Sequence, residues 1–150
     1  MRLAFDTNIL AYAEGVNGPD KKGAVVSLIS RLPPDSACIP VQVLGELFSV
    51  LVPKANRSPA SARNAILSWR DAFPLLPTSP EVMVKATDLA TDHRFGIWDA
   101  VILASASSAG CRLLLSEDMQ DGFTWGGVTI TNPLALEPHR LLRALLAQTP

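Results

Sequence analysis

Short β-forming runs alternate along this chain with longer stretches of helical periodicity, and that alternation limits the possible folds more than any other feature. A strand followed by a helix that carries the chain back to a parallel neighbour is a βα unit, and a series of them builds a mainly parallel sheet covered by helices on both faces. Strands are expected over residues 2–5, 37–39, 73–76, 112–116 and 128–131, giving a five-stranded α/β sheet. Helices are expected over 8–13, 20–31, 41–51, 59–72, 80–93, 97–109 and 138–147. The punctuation agrees. Ser58-Pro59 and Ser79-Pro80 each read as an N-cap with proline at the first helical position, and Gly110 suits a helix C-terminus.

At 150 residues and 48% hydrophobic content, the chain reads as one domain spanning 1–150 that buries roughly 70% of the surface its unfolded form exposes. Thirteen Lys and Arg stand against fourteen Asp and Glu, so the net charge of −1 provides no overall basic excess and any polyanion contact has to be local. Cys38 and Cys111 have neither metal-ligand spacing nor a disulfide pattern; both lie in apolar runs, as free thiols in a reducing cytoplasm do. An acid at position 6 interrupts what a signal peptide would need as its apolar core, and the most apolar helical run, from about residue 100 to 111, is too short to span a bilayer. A soluble cytoplasmic protein without membrane attachment is the expectation.

Four acids then stand where carboxylates are hard to explain. Asp6 closes the first apolar run, Glu46 interrupts Val41-Gln42-Val43-Leu44-Gly45-Glu46-Leu47-Phe48, Asp99 is the only charge between Arg94 and Arg112, and Asp118 follows Leu113-Leu114-Leu115-Ser116-Glu117. Each has a plain structural account as well. Asp6 or Thr7 can cap a helix, Asp99 can answer a helix dipole, and the acids of residues 116–122 can be loop charge. For Glu46 the plain account is a solvated stripe on a surface helix, but it is harder to sustain: Val41, Leu44, Phe48, Leu51 and Val52 form one apolar arc, Val43, Leu47 and Val50 extend it, and only Gln42, Glu46 and Ser49 remain polar. A largely buried helix with an unpaired carboxylate is costly unless that group faces a crevice, a cation or a basic partner.

In an open parallel sheet, ligands gather beyond the carboxyl ends of the strands where strand order reverses. Asp6 and Asp118 both follow such ends, and if their strands are central neighbours the two carboxylates face one crevice. Two carboxylates about 5 Å apart repel by roughly 3 kcal/mol at an effective dielectric near 20, and a cation removes that conflict. The ligands are hard oxygens without His or Cys, which selects Mg²⁺, with Mn²⁺ as a substitute, over zinc.

Taken together, Phe5-Asp6-Thr7-Asn8-Ile9-Leu10, the Glu46 helix, Trp98-Asp99-Ala100 and Ser116-Glu117-Asp118-Met119-Gln120-Asp121-Gly122 resemble the PIN-domain nucleases, specifically the VapC-like toxins of prokaryotic toxin–antitoxin pairs. The resemblance implies a three-layer α/β/α sandwich and Mg²⁺-dependent cleavage of RNA by an endoribonuclease. It assigns Asp6, Glu46, Asp99 and Asp118 to the catalytic, metal-binding quartet, Asp121 to its support, and Thr7, Asn8 and Ser116 to orienting ligands or water. It also implies a homodimer and an antitoxin whose C-terminal segment lies in the acidic cleft.

Lys54, Arg57, Arg63 and Arg94 are the candidate RNA-backbone contacts, with ordinary solvated charge as the alternative. Trp69, Trp98 and Trp125 read as core more than as base-stacking surfaces, and His93 and His139 as solvated helix residues rather than bases. Two competing classes remain. A catalytically silent binding module would keep the fold without binding a cation. An aspartate phosphoacceptor fits poorly, because the second acid its chemistry wants is Asn at position 8.

Overall fold

The structure, a computed structural model, describes residues 1–148. In chain order its elements are β1 (Leu3–Phe5), α1 (Thr7–Ala13), α2 (Pro19–Ser30), β2 (Ala37–Pro40), α3 (Val41–Leu51), α4 (Pro59–Ala72), β3 (Leu75–Leu76), α5 (Pro80–His93), α6 (Ile97–Ser108), β4 (Leu113–Leu115), β5 (Thr124–Trp125), β6 (Val128–Thr131) and α7 (Arg140–Leu146). The sheet runs β3-β2-β1-β4-β6-β5, with all neighbours parallel except the antiparallel β5–β6 pair. Helices cover it as an α/β/α sandwich.

The sheet has six strands, one more than the five expected. The extra strand is the two-residue β5, joined to β6 by Gly126 and Gly127, whose φ values of +56° and +80° are what a two-residue hairpin turn with both central residues left-handed requires. At Gly126 an added Cβ would also stand 2.3 Å from the Ser107 Oγ, which donates to the Gly126 carbonyl at 2.7 Å.

β1 lies in the middle, with Leu3, Ala4 and Phe5 wholly buried between β2 and β4. Strands buried on both faces explain why the sequence shows continuous apolar runs rather than alternation. Ser58 and Ser79 cap α4 and α5 by accepting the N–H of Ser61 and Val82 at 3.1 Å each. Gly110, at φ +76°, ends α6. Cys38 and Cys111 are free, buried and 3.4 Å apart.

α3 departs from the expectation. It buries Val43, Leu44, Leu47 and Leu51, while Val41 and Phe48, assigned above to its apolar arc, remain 40% and 38% exposed. Their flank faces an apolar groove against Pro59, Ala60 and Ile66 of α4. α4 buries only Ala62 fully, so it shields one side of α3 incompletely. Among the described residues no helix is long and apolar enough to cross a membrane.

The connection from β1 leads to β2 on one side, while β4 lies on the other. Strand order therefore diverges at the carboxyl ends of β1 and β4, and a crevice opens there.

Candidate active site

Asp6 is the first residue past β1. Its backbone N–H donates to the Leu115 carbonyl at 2.9 Å, which ties it to the end of β4, and its extended backbone makes it the N-cap of α1. Oδ1 accepts the Thr7 N–H at 2.7 Å; Oδ2 accepts from Ser116 Oγ at 2.7 Å and from Asn8 Nδ2 at 3.1 Å. Capping and site-building are thus the same act. Asp6 is only 4% exposed, and burial pushes its carboxyl up from 3.8 to about 6. The Ser116 and Thr7 hydrogen bonds oppose that rise, while the charges of Asp99 and Glu46 add to it.

Glu46 projects from α3, where Oε2 accepts the Thr7 hydroxyl at 2.5 Å and Oε1 accepts Gln42 Nε2 at 3.5 Å. Asp99 sits in the first turn of α6; burial, then the charges of Glu46 and Asp118, hold its carboxyl above the ordinary range. Asp118 follows β4. All four acids line one crevice of about 320 Å³, together with Thr7, Asn8, Tyr12 and Lys54. A larger apolar groove of about 520 Å³ between α3 and α4 contains none of them.

Among the described residues no three His, Cys, Asp or Glu side chains already stand at the spacing of a closed coordination shell. The donor set nevertheless fits a hard divalent cation. It consists of carboxylates and hydroxyls without thiol or imidazole, and two of its carboxyls, Asp6 and Asp99, are raised mainly by burial and in part by the charges of other acids of the set. Mg²⁺ characteristically keeps several waters and takes one or two carboxylates plus a substrate phosphate, so it does not require an all-protein cage. Asp6, Glu46, Asp99 and Asp118 are the residues that would hold it.

The expected supporting residues divide. Thr7 and Asn8 line the crevice, and the fully buried Ser116 fixes Asp6 while its Oγ accepts the Met119 N–H at 3.1 Å. Asn8 Oδ1 also accepts the Glu117 N–H at 3.2 Å, joining α1 to the loop after β4. Asp121 lies outside the crevice lining; its carboxylate accepts the Asn132 N–H at 2.9 Å and fastens that loop to the end of β6.

Of the four candidate RNA contacts, only Lys54 lines the crevice. Arg57 turns back to Glu14, with Nη1 2.7 Å from Oε1 and Nη2 2.6 Å from the backbone carbonyl, because the chain after α3 folds against the end of α1. Arg63 borders the apolar groove, and Arg94 is exposed at the end of α5 with a left-handed φ of +59°. Trp98 is 52% exposed, not core. Trp69 stacks on Phe73 and donates to Glu14 at 3.1 Å. His139 caps α7 by accepting the Leu141 N–H at 3.1 Å.

Sequence reasoning missed Tyr12. It follows Asn8 by one helical turn, which puts the two on one face of α1, and its hydroxyl donates to Glu117 Oε1 at 2.7 Å. Lys21 pairs with the same carboxylate and lies 4.6 Å above the Tyr12 ring, holding Glu117 below the usual carboxylate range.

Residues 3–120 match the family model described as PIN domain. No curated protein sequence matches the chain. Solved structures share the fold. VapC20 from Mycobacterium tuberculosis, described as a sarcin–ricin loop cleaving toxin, superposes with a TM-score of 0.65 at 18% identity, over 77% of this chain and 89% of that one. A toxin–antitoxin complex from Klebsiella pneumoniae gives 0.65 at 21% identity over 91% and 100%. VapBC2 from Rickettsia felis, bound to a promoter DNA fragment, gives 0.58 at 18% identity over 79% and 89%.

Proposed function

This chain belongs to the PIN-domain family, and we propose that it is a Mg²⁺-dependent endoribonuclease that hydrolyses RNA phosphodiester bonds as the toxin of a toxin–antitoxin pair. The observation that carries the reading is the meeting of Asp6, Glu46, Asp99 and Asp118, from four separate parts of the chain, in one crevice at the diverging strand ends.

Asp6, Glu46, Asp99 and Asp118 would hold Mg²⁺, or Mn²⁺ in its place, which would supply water activation and charge neutralisation at the phosphate. The chain's own residues hold the geometry. Ser116, Asn8 and the Thr7 N–H fix both oxygens of Asp6, and Thr7 Oγ1 sets the direction of Glu46. A protein nucleophile is not needed. Asp6 makes a poor phosphoacceptor, since it is buried and both its oxygens already accept hydrogen bonds.

The complexes formed by proteins of the same fold support an antitoxin partner; the homodimer rests on the resemblance to VapC-like toxins, because Val25 and Leu28 of α2 and Ala62 of α4 are buried and Ile29, Ile66 and Trp69 pack against this chain's own core. Two buried free thiols accord with the cytoplasm.

Incubating the protein with single-stranded RNA and Mg²⁺, then with EDTA, tests the reading. Cleavage that EDTA stops, and that Asp6→Asn and Asp99→Asn lose while keeping their circular dichroism, is the expected result. Undiminished cleavage in both variants would overturn the assignment. Cation-independent RNA binding without cleavage would favour the silent binding module.

A further inference from the structure

The acid crevice is continuous with a shallower polar groove of about 440 Å³ along α3. The two share Thr7, Glu46, Val50 and Lys54, and the groove adds Gln42, Gly45 and Ser49. Gly45 also borders the apolar groove, so α3 divides a polar channel on one flank from an apolar one on the other.

Lys54 stands at the junction. Its backbone is fixed by an N–H bond to the Val50 carbonyl at 3.0 Å, just past the end of α3, and its side chain is exposed. Among the described residues it forms no ion pair, although four carboxylates line the same crevice; Lys21, Arg57 and Lys85 are paired with Glu117, Glu14 and Glu81. A flexible ammonium left free beside an acidic centre is placed to receive a phosphate as a mobile point charge. Among the described residues the channel is lined by no aromatic side chain and so offers no stacking surface to bases; its Thr7 and Ser49 hydroxyls and Gln42 amide already donate to Glu46 and Gly45, which leaves Lys54 as its free cationic donor.

Resting on the ribonuclease reading above, we infer that the RNA strand runs from the acid crevice into the polar channel of α3, where Lys54 binds a phosphate next to the one being cut. Lys54 is a substrate-binding residue: it touches the RNA backbone and not the reacting atoms. The apolar flank of α3, with Val41 and Phe48 exposed, is unsuited to a polyanion and is left for another contact.

Steady-state cleavage of a single-stranded RNA oligonucleotide with Mg²⁺ tests this. Lys54→Ala should raise KM by about tenfold with kcat within about twofold, and should reduce the slope of log KM against log salt by about 0.7. Lys54→Arg should restore most of the affinity. Neutral methylphosphonates introduced one position at a time should weaken the wild type at a site flanking the cut and leave Lys54→Ala indifferent at that same site. An unchanged KM and salt slope in Lys54→Ala, or a loss of kcat alone, would overturn the inference while leaving the nuclease intact. Failure of the wild type to cut RNA at all would overturn both.

Discussion

Thr7 donates its hydroxyl to Oε2 of Glu46, a residue 39 positions further along the chain, at 2.5 Å. Its backbone N–H meanwhile binds Asp6 Oδ1 at 2.7 Å. One residue therefore sets the mutual position of the first two acids. Groups behind a metal ligand typically change affinity or activity by about 10–100-fold when removed. Thr7→Val should accordingly lower cleavage and raise the Mg²⁺ concentration needed for half-maximal rate, while Thr7→Ser should retain both. A Mg²⁺ titration that is unaltered in Thr7→Val would contradict this role.

The buried Asp6 predicts an unusual pH response. Its folded-state carboxyl, at about 6, lies above the ordinary 3.8, so the folded protein binds the proton more tightly. That contribution is complete below the unfolded value and is lost as pH rises through 6, amounting to about 3 kcal/mol at most. The melting temperature in EDTA should therefore rise as pH falls from about 7 towards 4.5. Further acidification should reverse the trend as Glu117, held below its usual range by Lys21, takes up a proton. Saturating Mg²⁺ should remove the rise, and a melting curve in EDTA that only declines from neutral pH would refute the account.

Glu14 joins three elements at the far side of α1: Oε1 binds Arg57, and Oε2 accepts the Trp69 indole N–H from α4. Glu14→Ala leaves both donors without their partner and should cost about 1–3 kcal/mol, read as a lower urea midpoint. The Mg²⁺ dependence of cleavage should be unchanged in the folded variant.

Cys38 and Cys111 are buried to 0% and 2% exposure, and their mutual hydrogen bond and burial push the Cys111 thiol up. Neither should react with Ellman's reagent in the native protein, and both should in urea. Prompt native-state labelling would place at least one thiol nearer the surface than the structure does.

The parts of this architecture that announce themselves in the sequence are the ones governed by local rules. The residue spans of α3, α4, α5 and β6 follow from periodicity and from Ser-Pro starts, and the four acids from the oddity of their surroundings. β5 escaped because two residues carry no period; its signal was Gly126-Gly127 between β-formers, a hairpin mark. Charge and place in the chain suggest Arg57 and Arg94 as RNA contacts, and the family resemblance suggests Asp121 as support, yet side-chain direction is set by tertiary contacts such as the Arg57–Glu14 ion pair and the Asp121–Asn132 hydrogen bond, which no local pattern encodes. Trp98 shows the same limit from the other side, since hydropathy alone does not tell an aromatic residue at a helix start from a core one.

All four acids precede β6, yet β6 and the residue after it secure the loop that carries the last of them: Ser116 N–H donates to Thr131, Gly122 N–H to Ile130, and Asn132 N–H to Asp121. During synthesis, every acidic group has therefore been translated before the segment that locks the final one has left the ribosome. A nascent polypeptide halted near position 120 therefore carries all four of these charges without the brace.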